Sequence, residues 1–135
     1  MLSPKCRIQI VEDEFIIAED LKGAMEKIGH TVVGMAETYD EALEQLSETR
    51  PELVLLDINL GGNRDGIRLG ELLSEQGIPF LYITAYIDAD TREKAAATGP
   101  KAFLIKPIDF SVLDVNIKFA LGKNPSQLKD KEKKP

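Results

Sequence analysis

Short apolar runs alternate along the chain with longer stretches in which apolar residues recur at helical spacing. Arg7 to Val11 is mainly apolar and predicts a first strand. From Glu14 to Ile28 the period changes: Ile17, Leu21, Ala24 and Ile28 share one helical face, and Gly29 supplies a stop. Thr31 to Ala36 returns to strand character through Val32 and Val33. Thr38 and Glu41 have the spacing of an N-terminal capping box, ahead of Ala42, Leu43 and Leu46 on one side of a second helix. Pro51 breaks that helix, because its ring removes a donor and clashes with the preceding turn. Residues 53–58 then predict a strand that is buried on both faces and carries Asp57 out at its C-terminal edge.

The second half repeats the alternation. Gly61-Gly62-Asn63-Arg64-Asp65-Gly66 reads as a turn, since its glycines lack the spacing of either nucleotide-phosphate loop. Helical spacing resumes over 67–76 through Leu69, Leu72 and Leu73, and is punctuated by Gly77 and Pro79. Strand character follows at 80–84, a polar, alanine-rich helix at 88–97, a strand at 102–105 and a closing helix at 110–121, with Gly122 behind it. Strands alternating with helices at this short spacing predict an α/β fold, a parallel sheet covered on both faces.

Composition narrows the setting. At 135 residues the chain suits one domain, large enough to bury roughly two thirds of its unfolded surface without a disulfide or structural metal. Its one cysteine, Cys6, cannot form an internal bridge and reads as a small apolar filler. No secretory leader and no apolar run long enough to cross a bilayer stand out, so a cytoplasmic protein with no membrane insertion is expected. Residues 123–135 hold five lysines and two acids, a local +3 within a chain of −6, so residues 1–122 carry −9. Such an acidic body is a poor partner for nucleic acid, and the lysine-rich end reads as a flexible tail or the beginning of a linker. The domain is therefore placed at 6–121 and the tail at 122–135.

The candidate chemistry collects at strand ends. Ile10-Val11-Glu12-Asp13, Asp57, Tyr82-Ile83-Thr84-Ala85 and Leu104-Ile105-Lys106-Pro107 bring acids, a hydroxyl and an ammonium to one edge of one sheet, where open α/β sheets bind ligands. Glu12, Asp13 and Asp57 offer hard oxygen ligands for magnesium or another divalent cation, which would relieve the mutual repulsion of three carboxylates. A plainer reading makes Glu12 and Asp13 helix caps and Asp57 a strand terminator. Taken together with Thr84, a donor to a phosphoryl oxygen, and Lys106, a neutralising cation, the set supports phosphoryl transfer with Asp57 as nucleophile. The one histidine, His30, falls at a helix-to-strand turn and reads as structural or solvated, so no histidine-based nucleophile system competes.

Glu12-Asp13, Asp57, Thr84-Ala85 and Lys106-Pro107 together resemble the acid pair, phosphoacceptor, hydroxyl and lysine-proline motif of the receiver domain of two-component response regulators. The resemblance spans about residues 6–121 and is similar in extent to a stand-alone chemotaxis-type receiver. It implies a flavodoxin-like, doubly wound five-stranded sheet of order 2-1-3-4-5. It also implies magnesium held by Asp13, Asp57 and the backbone carbonyl of Asn59, with Glu12 acting mainly through water. Phe103 takes the aromatic switch position, Thr84 the hydroxyl coupled to it, and Pro107 follows a bond often cis in the family. Two departures stand out: Leu60-Gly61 in place of the common Met-Pro, with a turn one residue longer, and Gly99-Pro100-Lys101 in place of the frequent Gly-Ala.

The implied function is a phosphoacceptor switch in a phosphorelay. Asp57 would take phosphate from a histidyl phosphate on a sensor histidine kinase or histidine phosphotransfer protein, slowly hydrolyse it, and change the surface formed by residues 88–121. Two alternatives stay open: a small magnesium-dependent phosphatase with Asp57 as nucleophile, and a receiver-shaped binding module that is never phosphorylated. Against the first, Asn59 is no side-chain acid or base; against the second stands the complete set of Asp57, Thr84 and Lys106.

Overall fold

The computed structural model describes residues 5–85 and 87–122; the lysine-rich stretch 123–135, read as tail or linker, lies outside them. In order the chain forms β1 (Arg7–Val11), α1 (Phe15–Ile28), β2 (Thr31–Ala36), α2 (Tyr39–Thr49), β3 (Leu53–Leu56), a 3-10 turn (Leu60–Gly62), α3 (Asp65–Glu75), β4 (Phe80–Thr84), α4 (Ala89–Ala96), β5 (Ala102–Ile105) and α5 (Phe110–Ala120). The five strands are all parallel and lie in the order β2-β1-β3-β4-β5. This is the doubly wound, flavodoxin-like sheet that the alternation and the resemblance lead one to expect. Among the described residues no helix is long and apolar enough to cross a membrane.

Side chains alternate across a strand, and here that period sorts the core into two layers. Ile8, Ile10, Leu53, Leu55, Leu81 and Ile83 face α1 and α5, meeting Leu21, Met25, Leu113 and Ile117. Val11, Val54, Leu56, Phe80 and Tyr82 face α2, α3 and α4, meeting Ala42, Leu46, Leu69, Leu73 and Ala95. Gln9 interrupts the second layer although it is fully buried. Its Nε2 donates to Gln45 Oε1 at 2.6 Å, and Gln45 Nε2 donates to Met35 O at 2.9 Å. The amide is thereby spared the cost of an unpaired buried polar group. The β1–β2 register slips between Ile8 and Gln9, setting Gln9 opposite Gly34, where a Cβ would lie 2.4 Å from Gln9 Oε1.

Helix ends follow their sequence signals. Thr38 Oγ1 accepts from Glu41 N at 3.1 Å, while Glu41 Oε1 reaches back to Glu37 N at 2.8 Å, a cap worth about 1 kcal/mol. Asp88 and Asp109 cap α4 and α5 with side-chain oxygens. At the end of α1, Gly29 turns left-handed at φ 113° and donates to Met25 O and Glu26 O, a conformation that penalises residues with a Cβ. Gly77 and Gly99 also adopt positive φ in the turns before β4 and β5; before β3 the left-handed residue is Arg50, at φ 47°.

The central strand is shorter than its apolar run predicts. β3 stops at Leu56, and although Asp57 N still donates to Val11 O at 3.0 Å, Ile58 O accepts from Gly66 N at 2.9 Å. The first turn of α3 thus takes over the backbone, and that helix starts at Asp65 rather than residue 67. Gly66 makes the approach possible, since a Cβ there would lie 2.1 Å from Asp57 O.

Candidate functional site

Because β1, β3, β4 and β5 are adjacent and parallel, the residues just past their ends meet at one edge. Glu12 and Asp13 follow β1, Asp57 follows β3, Thr84 closes β4 and Lys106 follows β5. Asp57 is 5% exposed. Its Oδ1 accepts from Thr84 Oγ1 at 3.0 Å and from Asn59 N at 3.1 Å, and its Oδ2 accepts from Lys106 Nζ at 3.1 Å. Both carboxylate oxygens are therefore aimed by groups from three other positions in the chain.

One carboxylate oxygen each from Glu12, Asp13 and Asp57 lie within 4.8 Å of one another. Asp13 Oδ2 is oriented by the N–H of Gly61, at 2.9 Å, and Glu12 Oε2 by the N–H of Glu14, at 3.0 Å. Glycine in place of the common proline thus has a use at this site: a proline would have no N–H to offer, whereas Gly61, in a left-handed conformation at φ 64°, turns its amide to Asp13. Glu12 is 3% exposed, and burial pushes its pKa up to about 7; the charge of Asp57 adds to the rise, while Lys106 and the Glu14 amide oppose it. Hard oxygens crowded in a partly dry pocket make a donor set suited to a hard divalent cation.

Lys106 joins the halves of the site. Its side chain is 11% exposed, with Nζ 2.7 Å from Glu12 Oε1, 3.0 Å from Glu14 Oε1 and 3.1 Å from Asp57 Oδ2. The Glu12 contact lacks the alignment of a hydrogen bond, so it is an attraction of charges. Burial alone would lower the lysine pKa, but Glu12, Glu14 and Asp57 more than reverse this and hold it above the usual ammonium range. The Lys106–Pro107 peptide is cis.

Away from the acids, Phe103 lies half-buried with its ring centroid 5.3 Å from that of Tyr82, and the Arg92 guanidinium sits 4.9 Å over it. Tyr82 in turn meets Phe80 edge-on at 5.3 Å. Thr98 Oγ1 donates to Ala95 O at 2.6 Å, so its 2.7 Å contact with Tyr82 Oη is a bond that the phenol donates. Phe103 is thus enclosed by β4 on one side and by α4 on the other. Thr84, at the end of the strand that carries Tyr82, ties this aromatic group to the acids through its 3.0 Å bond to Asp57. His30 and Cys6 lie at the other end of β1, with His30 Nδ1 accepting from Cys6 N at 3.2 Å.

A sequence profile described as the response regulator receiver domain matches residues 8–118. The chain belongs to the response regulator receiver family. Among curated relatives of this receiver, the transcriptional regulatory protein PdtaR of Mycobacterium tuberculosis is 34% identical over 118 residues, covering 87% of the chain and 57% of the relative. The phyllosphere-induced regulator PhyR of Methylorubrum extorquens is 43% identical over 81 residues, covering 58% of the chain and 30% of the relative. The receiver thus spans little more than half, or less, of these relatives' lengths. Among solved structures, the signal receiver domain of a modulated diguanylate cyclase from Desulfovibrio desulfuricans superposes with a TM-score of 0.83 at 30% identity, covering 89% of this chain and 96% of that one.

Four residues of this receiver have contacts that sequence does not reveal. Glu14, the third acid of Glu12-Asp13-Glu14, has the pattern of a helix start, Gly61 that of a turn, Tyr82 that of a strand and Arg92 that of a polar helix. For Glu14 the run of acids directly after a strand was an available signal. For Arg92 and Tyr82 no local pattern distinguishes their partners.

Proposed function

We propose that Asp57 takes a phosphoryl group from a histidyl phosphate on a sensor histidine kinase or histidine phosphotransfer protein, and that the phosphoaspartate resets the surface formed by residues 88–121. The observation that carries this reading is the pair of held oxygens on Asp57, one met by Thr84 and one by Lys106, beside Glu12 and Asp13. An Asp57 oxygen bonds to phosphorus as the P–N bond to imidazole breaks, and that bonding pair leaves on the ring nitrogen. Lys106 Nζ and Thr84 Oγ1 are placed to meet the phosphoryl oxygens. Magnesium fits the hard-oxygen pocket, with Asp13, Asp57 and the Asn59 carbonyl as ligands and Glu12 acting through water, and when bound supplies positive charge against the transferring oxygens. Attack by water on phosphorus returns the Asp57 carboxylate and inorganic phosphate.

The switch acts through Thr84 and Phe103 in the cytoplasm, and the output lies in a partner or downstream domain. PdtaR and the phosphate regulon protein PhoB of Klebsiella pneumoniae are named as transcriptional regulatory proteins, which supports control of transcription as one such output. The family match does not favour a metabolite phosphatase.

Magnesium and a small acyl phosphate donor should add one phosphoryl group to the native protein and none to Asp57→Asn, read by intact mass. Equal uptake by both would refute Asp57 as acceptor.

A further inference from the structure

Glu14 stands where α1 begins, yet it does no capping: its side chain makes no bond to the helix N-terminus. Glutamate is in any case outside the set of good N-cap residues. Instead Oε1 crosses to Lys106 Nζ, 92 positions away in sequence, at 3.0 Å. Three carboxylate oxygens, from Glu12, Glu14 and Asp57, lie within 3.1 Å of that nitrogen. Two of its three N–H bonds go to Glu14 and Asp57, and Glu12 holds it by charge, so a phosphoryl group meets an ammonium that three carboxylates already engage. The three acids are not held alike: the Glu12 side chain is 2% exposed and that of Glu14 is 61% exposed. Water can take over the Glu14 carboxylate at little cost, whereas Glu12 has no solvent to turn to.

From this we propose that Glu14 is a positioning residue that competes with the phosphoryl group for Lys106. The inference rests on the reading of Asp57 as phosphoacceptor and adds a residue to it. Phosphorylation replaces a singly charged carboxylate with a group of nearly two charges, which draws the ammonium toward residue 57 and releases Glu14 into solvent. Glu14 therefore biases the receiver toward its phosphate-free form.

Beryllium fluoride, which mimics a phosphoryl group on aspartate, provides the test by calorimetric titration at saturating magnesium, with the metal titrated separately for each protein. Glu14→Gln should bind it about fivefold more tightly than native, the scale of one partly exposed ion pair. In a Lys106→Ala background the same substitution should change affinity less than twofold. The nitrogen-15 resonance of the Lys106 ammonium should also shift in ligand-free Glu14→Gln. An unchanged or weaker affinity in Glu14→Gln overturns the inference. A gain of equal size without Lys106 also does so, because Glu14 would then act by direct repulsion. If native protein and Asp57→Asn both fail to bind the mimic, the reading of Asp57 falls first and this inference with it.

Discussion

Gly70, on the buried side of α3, sets the space into which the Tyr82 hydroxyl fits. A Cβ at this position would stand 2.1 Å from Tyr82 Oη, 3.1 Å from Tyr82 Cζ and 3.2 Å from Phe80 Cε2. The hydroxyl cannot swing aside, because the ring is fully buried and Oη donates to Thr98 at 2.7 Å. Gly70→Ala must therefore move the ring and stretch that bond. Overpacking costs about 1–3 kcal/mol and the weakened hydrogen bond about 1 kcal/mol, against about 1 kcal/mol gained from alanine's helix propensity. The net loss is about 1–3 kcal/mol. In a Tyr82→Phe background the offending oxygen is gone and Thr98 keeps its bond to Ala95 O, so the same substitution should be close to neutral. Urea denaturation of the four proteins, with unchanged m-values, would give a coupling energy of about 2 kcal/mol. An equal loss from Gly70→Ala in both backgrounds would refute this account of the glycine.

Glu12, its pKa raised by burial to about 7 from 4.5, binds a proton more readily folded than unfolded, so it favours folding below pH 4.5 and the advantage is lost as pH rises through 7. Without magnesium, native stability should fall relative to Glu12→Gln across that window, by at most about 3 kcal/mol, and magnesium should flatten the difference; parallel pH profiles in metal-free buffer would contradict it. Arg92→Ala removes the guanidinium over Phe103, a contact worth about 0.5–1 kcal/mol, and should speed Phe103 ring reorientation in NMR line shapes while leaving phosphoryl uptake at Asp57 unchanged.

The division of the chain into strands and helices was legible because one face of each element must be apolar and the two periods differ. Strand order needed more than periodicity and came from the receiver resemblance. Asp57, Thr84 and Lys106 could be placed at one edge from sequence because parallel strands joined by helices all end on the same side. The end of β3 could not: Ile58 continues the apolar run, and only the arrival of Gly66 shows that its carbonyl leaves the ladder. Glu14 was legible as the third of a run of acids, but its partner was not. Whether a surface glutamate points to water or to an ammonium depends on rotamer and on the path of a loop far along the chain. Tyr82, Arg92 and Phe103 each satisfy a plain core or surface pattern, and their stacking exists only once β4, α4 and β5 are assembled.

The turns at the far edge of the sheet separate the demands of folding from those of the chemistry. There the chain passes from helix back to strand through Gly29, Arg50, Gly77 and Gly99, every one left-handed. Arg7 adds to this edge by donating from its guanidinium to the carbonyls of Thr49 and Arg50. These residues answer to backbone geometry and have no share in the chemistry at the opposite edge. The two edges are therefore vulnerable to different substitutions: a β-branched residue at Gly29, Gly77 or Gly99 would strain the backbone while leaving every charge at the opposite edge in place. A loss of charge at Asp57 or Lys106 would leave those reversals untouched, so stability and chemistry can be altered one at a time.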